Sequence, residues 1–417
     1  MKMSKCRICG GTHFEEIINL GYQKLTGVFP QKGAEIEGGE LNLVKCTEEG
    51  GCGLVQLDSS FESSLMYGDN YGYRSSLNKS MVEHLTDVVA YAVGKMELDT
   101  DDLVVDIGSN DGTLLGLYSN KCDKKLIRVG IDPTGEKFHK YYDKEVKLVP
   151  DFFSAEKIKS VCDKKAKVVT SIAMFYDLED PIEFVKNIYE ILDDDGIWIT
   201  EQSYCPLMVD ACSYDTICHE HIEYYTLKQF RWITERAGMR IVDVELNDIN
   251  GGSFRLTMCK ESAKYAATEA VERLEKDEEV RGVNDLSYMN DFVERINNSK
   301  TELIEFLQEK KAAGELVLGY GASTKGNVVL QYCGIDSELL PAIVEVNQDK
   351  LGCVTPGTGI NIISEQEGRD MNPAYMLVLP WHFKNNILEK EREYMQKSGC
   401  KFVFALPEFE IVSCGNE

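Results

Sequence analysis

The residues best suited to proton transfer are concentrated in one short segment, residues 214–225. Two of the six histidines of this 417-residue chain, His219 and His221, flank Glu220 there. Their i, i+2 spacing differs from the one-turn spacing of the zincin H-E-x-x-H motif, although in an extended segment both rings would face the same side. A second interpretation is acid/base chemistry, in which an imidazole removes a proton from carbon beside a carbonyl and a carboxylate orients the ring. A hydrogen-bonded polar turn is the third.

A second group of reactive residues lies near the N-terminus. Cys6 and Cys9 form a C-x-x-C knuckle, and Cys46 and Cys52 form a wider pair about 40 residues later. Two such pairs favour a closed tetrahedral zinc site, which has no open position for catalysis. His13 is a competing ligand, and four unrelated free thiols are the alternative.

These groups need a fold to position them, and the stretch LVVDIGSNDGTLL indicates one. Its apolar start, residues 103–105, predicts a buried strand, and Gly108 and Gly112 follow in a loop before an apolar stretch that begins a helix at Leu114. A strand, a glycine turn and a helix place a ligand at the carboxyl end of the first strand of an open α/β sheet. A plain α/β turn without a ligand is the alternative.

The acidic residues of this loop select the ligand. Asp106 and Asp111 would repel a pyrophosphate, whereas they suit a cationic or hydroxyl-rich ligand. Asp132 ends the next predicted strand, where an acidic residue is placed to bind ribose hydroxyls. A cationic, ribose-bearing ligand points to S-adenosylmethionine. We assign seven residues to this site: Asp106, Gly108, Ser109, Asn110, Asp111, Asp132 and, after the strand predicted at 167–172, Tyr176.

A second glycine loop, residues 319–326, is basic instead of acidic. It follows a predicted strand and carries Lys325, which would suit a phosphate at a helix N-terminus. Arg255, after the N-G-G turn at Asn250, could also meet a phosphate. We expect a phosphorylated substrate here, with a plain turn as the alternative at each position. The residues assigned to it are Arg255, Tyr320, Ser323, Lys325 and Asn327.

Composition limits the range of functions. The formal net charge of −25 argues against a nucleic-acid groove and against an anionic membrane surface. No run approaches the 18 or so apolar residues of a membrane span, and the N-terminus lacks the apolar stretch of a signal peptide. We therefore expect a cytoplasmic protein whose 14 cysteines are metal ligands or free thiols. Alternating strands and helices predict a largely parallel sheet.

The order of these motifs resembles the sugar C-methyltransferases of deoxysugar biosynthesis over nearly the whole chain. The motifs are C-x-x-C, a second cysteine pair, Y-G-Y-R-S-S, D-I-G-S-N-D-G-T-L-L, Y-D-T-I-C-H-E-H-I-E-Y-Y, N-G-G-S-F-R and G-Y-G-A-S-T-K-G-N. The resemblance implies a zinc-binding domain at 1–65 and a Rossmann-like class I S-adenosylmethionine domain at 66–260. It further implies a helical connector at 261–300 and a smaller Rossmann-like domain for a nucleotide sugar at 301–417.

The resemblance also implies a reaction: methylation at C3 of a nucleotide-linked 4-keto-6-deoxyhexose. His221 then corresponds to the base that forms an enolate, Glu220 to its neighbouring carboxylate, and Tyr71 or Tyr73 to an active-site tyrosine. The oligomeric state and the identity of the sugar are left open.

Two positions depart from the pattern that the resemblance sets. Cys218 stands where the family usually has tyrosine, and Asn250 stands where it usually has histidine. Methylation of oxygen or nitrogen on another sugar nucleotide is therefore a second hypothesis, and a noncatalytic protein that binds S-adenosylmethionine or a sugar nucleotide is a third.

Overall fold

A computed structural model describes residues 2–61 and 74–414. In these ranges the chain forms three sheets, one for each predicted domain, and this confirms the α/β fold with a small N-terminal domain. Tyr71 and Tyr73 lie outside the described residues. Among the described helices, none has the length and apolarity needed to cross a membrane.

The first sheet is antiparallel, and one of its strands comes from the middle of the chain. In spatial order its strands are β1 (Phe14–Lys24), β2 (Gly38–Cys46), β3 (Val55–Leu57) and β9 (Glu223–Tyr224). Strand β9 follows the H-E-H segment directly and pairs with β3. Backbone hydrogen bonds therefore tie the segment that carries His221 to the N-terminal domain.

The central sheet has seven strands, in the spatial order β10-β11-β8-β7-β4-β5-β6. Its strands are β4 (Leu103–Ile107), β5 (Ile127–Ile131), β6 (Val146–Val149), β7 (Ala166–Ile172), β8 (Leu192–Ser203), β10 (Met239–Asn247) and β11 (Ser253–Lys260). Only β11 runs antiparallel to its neighbours. Because β5 and β7 lie on opposite sides of β4, the strand order reverses at β4, where such sheets bind ligands.

Helices cover both faces of this sheet, so β4 is buried along its whole length. They are α1 (Lys79–Lys95), α2 (Thr113–Lys121), α3 (Gly135–Phe138), α4 (Ala155–Val161), α5 (Pro181–Ile191), α6 (Cys205–Asp210), α7 (Leu227–Arg236) and α8 (Glu269–Arg281). Asn78 caps α1 by accepting a hydrogen bond from the Ser80 amide at 3.0 Å.

One long helix, α9 (Leu286–Ala313), leads into the C-terminal domain. It contains residue 300, the boundary expected from the sequence. Its buried residues recur every three or four positions, as a helix with one face on a core requires: Met289, Phe292, Ile296, Leu303, Phe306 and Leu307. Gly314 ends the helix in the left-handed conformation, with φ of 71°.

The C-terminal sheet has five parallel strands and one antiparallel edge strand. In spatial order they are β14 (Asn361–Ser364), β13 (Ala342–Glu345), β12 (Val317–Tyr320), β15 (Tyr375–Val378), β16 (Lys401–Phe404) and β17 (Glu410–Val412). Its helices are α10 (Thr324–Cys333), α11 (Glu365–Asp370) and α12 (Lys384–Ser398). The basic glycine loop joins β12 to α10 at the central strand, where the strand order again reverses.

Candidate active site

The four cysteines Cys6, Cys9, Cys46 and Cys52 meet as the sequence predicts. Their sulfur atoms all lie within 4.8 Å of one another, with Cys6 Sγ 3.4 Å from Cys52 Sγ and Cys9 Sγ 3.5 Å from Cys46 Sγ. Zinc–thiolate bonds of about 2.3 Å place the sulfurs of a tetrahedral site about 3.8 Å apart. The cluster therefore fits a structural zinc ion.

The competing ligand His13 lies outside this cluster. Its exposed Nδ1 contacts Glu48 Oε2 at 2.9 Å. The side-chain amide of Gln56 donates a hydrogen bond to Cys6 Sγ at 3.2 Å. Hydrogen bonds of this kind, from residues around a metal site to its ligands, stabilise a metal-bound thiolate.

The acidic glycine loop has the geometry of a ligand cradle. Gly108 and Gly112 have φ of 72° and 77°, a conformation that glycine adopts without strain. A Cβ at Gly112 would stand 2.7 Å from the ring of Tyr142. The hydroxyl groups of Tyr142 and Ser109 are 2.8 Å apart, which fixes the loop above the start of α2.

Asp132 and Asp106 supply the negative charge of this site. Asp132 directly follows β5, and its carboxylate accepts hydrogen bonds from the backbone amides of Asn110 at 2.8 Å and Thr134 at 2.7 Å. Burial raises the pKa of Asp106 to about 7, against the effect of the Thr170 hydroxyl 2.5 Å away. A cationic ligand would favour the ionised form of this buried carboxylate, so the residues fit S-adenosylmethionine.

Asn110 and Asp111 bind the segment before α1, a contact that the sequence did not indicate. The amide of Ser75 donates to Asn110 Oδ1 and that of Ser76 to Asp111 Oδ2, each at 3.1 Å. Burial alone would raise the pKa of Asp111, but hydrogen bonds from Ser76 and Thr113 lower it. These two side chains hold the end of the Y-G-Y-R-S-S motif over the cofactor loop.

Tyr176 joins the cofactor strand to the H-E-H segment. Its hydroxyl donates to the Ala173 carbonyl at 3.0 Å, just after β7, and its own carbonyl accepts from the Ile222 amide at 3.0 Å. Its ring packs edge-on against the His221 imidazole, with 4.3 Å between centroids. The structure thus brings His221 next to the carboxyl end of β7.

A backbone carbonyl orients His221. His221 Nδ1 lies 3.1 Å from the carbonyl oxygen of Thr216, and because a carbonyl only accepts, Nδ1 carries the proton of the neutral ring. Nε2 then has a free lone pair. Burial, together with the positive charge of Lys325, lowers the pKa of His221 to about 3. The imidazole is therefore neutral at physiological pH.

Glu220 does not orient His221, contrary to the expectation that a carboxylate would do so. The chain bends at residue 218 and turns at 219–220, so the segment is not extended and adjacent side chains point in different directions. The carboxylate reaches the N-terminal domain instead, where a Cβ at Gly27 would be 2.8 Å from Glu220 Oε1. Burial raises the pKa of Glu220. Glu220 Oε2 is buried and has no hydrogen-bond partner in the structure as described.

His219 also points away from His221, and the metal interpretation of H-E-H is not supported. Its Nε2 lies 3.2 Å from the Gly39 carbonyl, and its ring packs edge-on against Phe61. In the described parts of the chain, the cysteine cluster is the only group with metal-site geometry. Cys218, one of the two departures, is buried, and this raises the pKa of its thiol well above the ordinary value.

Lys325 connects the C-terminal domain to the N-G-G turn. Its Nζ donates to the Asn250 carbonyl at 2.8 Å, and Asn250 has φ of 56°, which asparagine tolerates better than most residues. Burial and, as the second cause, the positive charge of Lys325 lower the pKa of His382 to about 4. The same charge acts on His221, so Lys325 lies within electrostatic range of both histidines.

The other residues predicted on the basic loop have partners within the protein. Ser323 caps α10 by accepting from the Gly326 amide at 3.0 Å. The side-chain amide of Asn327 donates to the Thr26 carbonyl at 2.8 Å. The Tyr320 hydroxyl donates to Glu391 Oε1 at 3.0 Å, towards α12. Among these residues, Lys325 is the one whose charge acts on the histidines.

Arg255 lies on the central sheet, away from this loop. Its guanidinium packs 4.8 Å from the centre of the Tyr91 ring on α1 and pairs with Glu245 on β10. Its assignment as a phosphate ligand stays a prediction, and the structure places it apart from Lys325.

A cleft of about 660 Å³ opens beside Lys325, between the N-G-G turn, helix α9 and the C-terminal sheet. That volume suits a small-molecule ligand. The Trp381 indole on its wall donates to Asp215 Oδ2 at 2.8 Å. Its charged lining residues are Asp210, Asp248, Glu302, Glu408 and Arg295, and Lys325 lies outside the lining.

Two functional contacts escaped the sequence analysis, the Thr216 carbonyl and the Thr26–Gly27 turn. A carbonyl oxygen has no residue-type signal, and the turn lies about 190 residues from Glu220 in the sequence. No pattern in the sequence could have paired them.

Comparison with known proteins agrees with this architecture. Residues 6–67 match the family model of a zinc binding domain, residues 77–244 that of a methyltransferase domain, and residues 248–407 that of a C-methyltransferase C-terminal domain. The chain is 28% identical to C-methyltransferase NovU of Streptomyces niveus over 418 residues, which cover 99% of this chain and 97% of that protein.

Solved structures resemble the central part of the chain only weakly. They include LepI with S-adenosylmethionine (12% identity, TM-score 0.35, 45% of this chain and 54% of that one). The mitomycin 7-O-methyltransferase MmcR also matches (13%, TM-score 0.33, 43% and 54%), as does the plantazolicin methyltransferase BamL (14%, TM-score 0.34, 43% and 84%). Scores of this size carry no argument about function.

The sheet, its acidic loop and the domain matches define an S-adenosylmethionine-dependent methyltransferase. The three family models follow one another in this order over nearly the whole chain, and the chain is similar over its length to a C-methyltransferase; both findings point to carbon as the methylated atom and to an N-terminal zinc-binding domain.

Proposed function

We propose that this enzyme methylates the carbon beside the keto group of a nucleotide-linked 4-keto-6-deoxyhexose, at C3, with His221 as the base. The observation that carries the proposal is the hydrogen bond between His221 Nδ1 and the Thr216 carbonyl. It places the proton on Nδ1, so Nε2 is free to accept a proton from carbon.

The proton balance follows from the chemistry of a ketone. A 4-keto group acidifies the hydrogen on C3, and His221 Nε2 takes that proton while the bonding electrons form an enolate. S-Adenosylmethionine, when bound, supplies an electrophilic methyl group. The enolate carbon would form the new carbon–carbon bond as the methyl–sulfur bond breaks and its electron pair goes to sulfur, which leaves S-adenosylhomocysteine; His221 would then release its proton to solvent. Holding the reactants close together supplies much of the rate.

The pKa of about 3 for His221 describes the site without substrate. Part of that shift comes from the positive charge of Lys325, which a diphosphate would offset. Substrate binding would therefore make the ring a stronger base at the moment of proton transfer. This effect also ties catalysis to the charged part of the substrate.

The basic loop at Lys325 is the proposed contact for the diphosphate of such a substrate, because the neighbouring cleft itself is lined by four acidic residues. A chain with a net charge of −25 repels anions in general, so a local cation is needed for a diphosphate. Lys325 supplies it at the N-terminus of α10, where backbone amides also favour anions. In this proposal the sugar reaches from Lys325 to His221. Tyr71 and Tyr73 stay proposed as active-site residues on the family resemblance alone.

A substrate panel tests the proposal. The purified enzyme is incubated with S-adenosylmethionine and nucleotide-linked 4-keto-6-deoxyhexoses that differ in base and sugar configuration. Mass spectrometry and NMR should show a new methyl group on carbon next to the ketone. A methyl group on oxygen or nitrogen, or turnover only with substrates that lack a keto group, would overturn it.

A further inference from the structure

One turn of the zinc-binding domain lies against the carboxylate of the H-E-H segment. The turn after β1 brings Gly27 against Glu220, and the two atoms within 4 Å of an added Gly27 Cβ both belong to Glu220: Oε1 at 2.8 Å and Cδ at 4.0 Å. One oxygen of this carboxylate thus rests on the turn. The other, Oε2, is buried without a hydrogen-bond partner in the residues described.

The C-terminal domain holds this turn in place. Asn327, fully buried on α10, donates to the Thr26 carbonyl at 2.8 Å. Gln331, one helical turn later, accepts from the Lys24 amide at 2.7 Å and donates to the Lys24 carbonyl at 3.2 Å. The same helix, α10, carries Lys325 in its first turn. It therefore connects the basic glycine loop to the turn at Thr26 and Gly27.

A further bond closes the other side of the turn. The amide of Val354 donates to the Pro30 carbonyl at 2.8 Å. Residues on both sides of Gly27 are therefore fixed to the C-terminal domain, while Gly27 itself faces Glu220 on the H-E-H segment. Glu220 thus lies against a turn of the N-terminal domain that hydrogen bonds from the C-terminal domain hold in place.

We propose that the Thr26–Gly27 turn is a positioning element of the active site: it fixes the Glu220 carboxylate so that Oε2 faces the substrate, and Asn327 locks the turn. The inference rests on the proposed function, because it assigns Oε2 to a hydroxyl or carbonyl group of the sugar. In this arrangement the zinc-binding domain takes part in turnover as well as in folding.

Gly27→Ala tests the turn selectively. The added methyl meets only the end of a flexible side chain, so the fold is kept and the carboxylate moves. We expect kcat to fall on the order of ten- to a hundredfold, as for a small misplacement of a catalytic group, with zinc content and the Kd for S-adenosylhomocysteine unchanged. Gly94→Ala is the matched control, because nothing lies within 4 Å of its added Cβ.

A double-mutant cycle separates positioning from general damage. In a Glu220→Ala background, Gly27→Ala should cost no further activity, because the group it displaces is gone. Independent, multiplying losses would overturn the inference, as would a Gly27→Ala enzyme as active as Gly94→Ala. Asn327→Ala should reproduce the kcat loss, and Gln331→Ala, which leaves the Thr26 bond in place, should lose less.

A crystal structure of Gly27→Ala decides the point without turnover. It should show the Glu220 carboxylate displaced while the bond from His221 to Thr216 is kept. An unmoved carboxylate would refute the positioning role. Lack of activity of the wild-type enzyme on every keto sugar would instead overturn the proposed function, so the two failures are distinguishable.

Discussion

At the scale of single residues, the proposed reaction depends on which nitrogen of His221 carries the proton. The Thr216 carbonyl places it on Nδ1, and burial with the charge of Lys325 keeps the ring neutral. Both features prepare Nε2 to accept a proton from carbon. Two substitutions separate them.

Replacing His221 with glutamine should remove the base and keep the ligand sites. We expect turnover to fall about a hundred- to ten-thousandfold, with unchanged binding of S-adenosylhomocysteine by calorimetry. The neighbouring variant His219→Gln is the control, because His219 contacts Gly39 rather than the site. Equal losses in both variants would mean that the segment is only structural.

Lys325→Met should move the acid limb of the pH profile. Burial is the larger cause of the lowered pKa of His221, and the positive charge of Lys325 is the second. Removing it raises that pKa, so activity is lost at a higher pH as the solution is acidified. The limb of kcat/KM, which reports the free enzyme, should shift upwards in Lys325→Met and stay in place in Lys325→Arg. One common limb in all three enzymes would contradict this assignment.

At the scale of elements, two loops at the carboxyl ends of parallel strands divide the ligands by charge. The acidic loop after β4 has Asp132 beside it, and the basic loop after β12 carries Lys325. The sequence predicted both loops, because a strand, a glycine turn and a helix are encoded within a few residues. It also predicted which loop is acidic.

Asp132→Ala tests the acidic loop. Loss of a carboxylate that binds ribose hydroxyls should weaken S-adenosylhomocysteine binding by about ten- to a hundredfold, since a hydrogen bond to a charged group contributes about 1.5–3 kcal/mol. Calorimetric titration measures the change, with the exposed Asp123→Ala as the control. An unaltered Kd would show that Asp132 only braces Asn110 and Thr134.

At the scale of the whole molecule, the residues of the proposed active site come from the regions of all three sheets. Strand β9 binds the H-E-H segment to the zinc-binding sheet, and Lys325 and Asn327 approach from the C-terminal domain. Such contacts between distant parts of the chain could not be predicted from the sequence. For the same reason Glu220 was expected beside His221, whereas the fold turns it towards Gly27.

Zinc loss should therefore affect turnover more than cofactor binding. Cys9→Ser should lower the zinc content, measured by mass spectrometry, and destabilise the N-terminal sheet. Because the acidic loop belongs to another sheet, S-adenosylhomocysteine should still bind while methyl transfer is lost. Cys122→Ser, outside the cluster, is the control. Full zinc content in Cys9→Ser would refute the ligand set.

The central claim, a carbon acid deprotonated by His221, is tested most directly by hydrogen exchange. The enzyme is incubated in D₂O with S-adenosylhomocysteine and the 4-keto sugar nucleotide that it methylates, and the sugar is examined by NMR. Wild-type enzyme should replace the hydrogen on carbon next to the ketone with deuterium, and His221→Gln should not. A methylated product from the complete reaction that keeps every carbon-bound hydrogen of the substrate would contradict the claim.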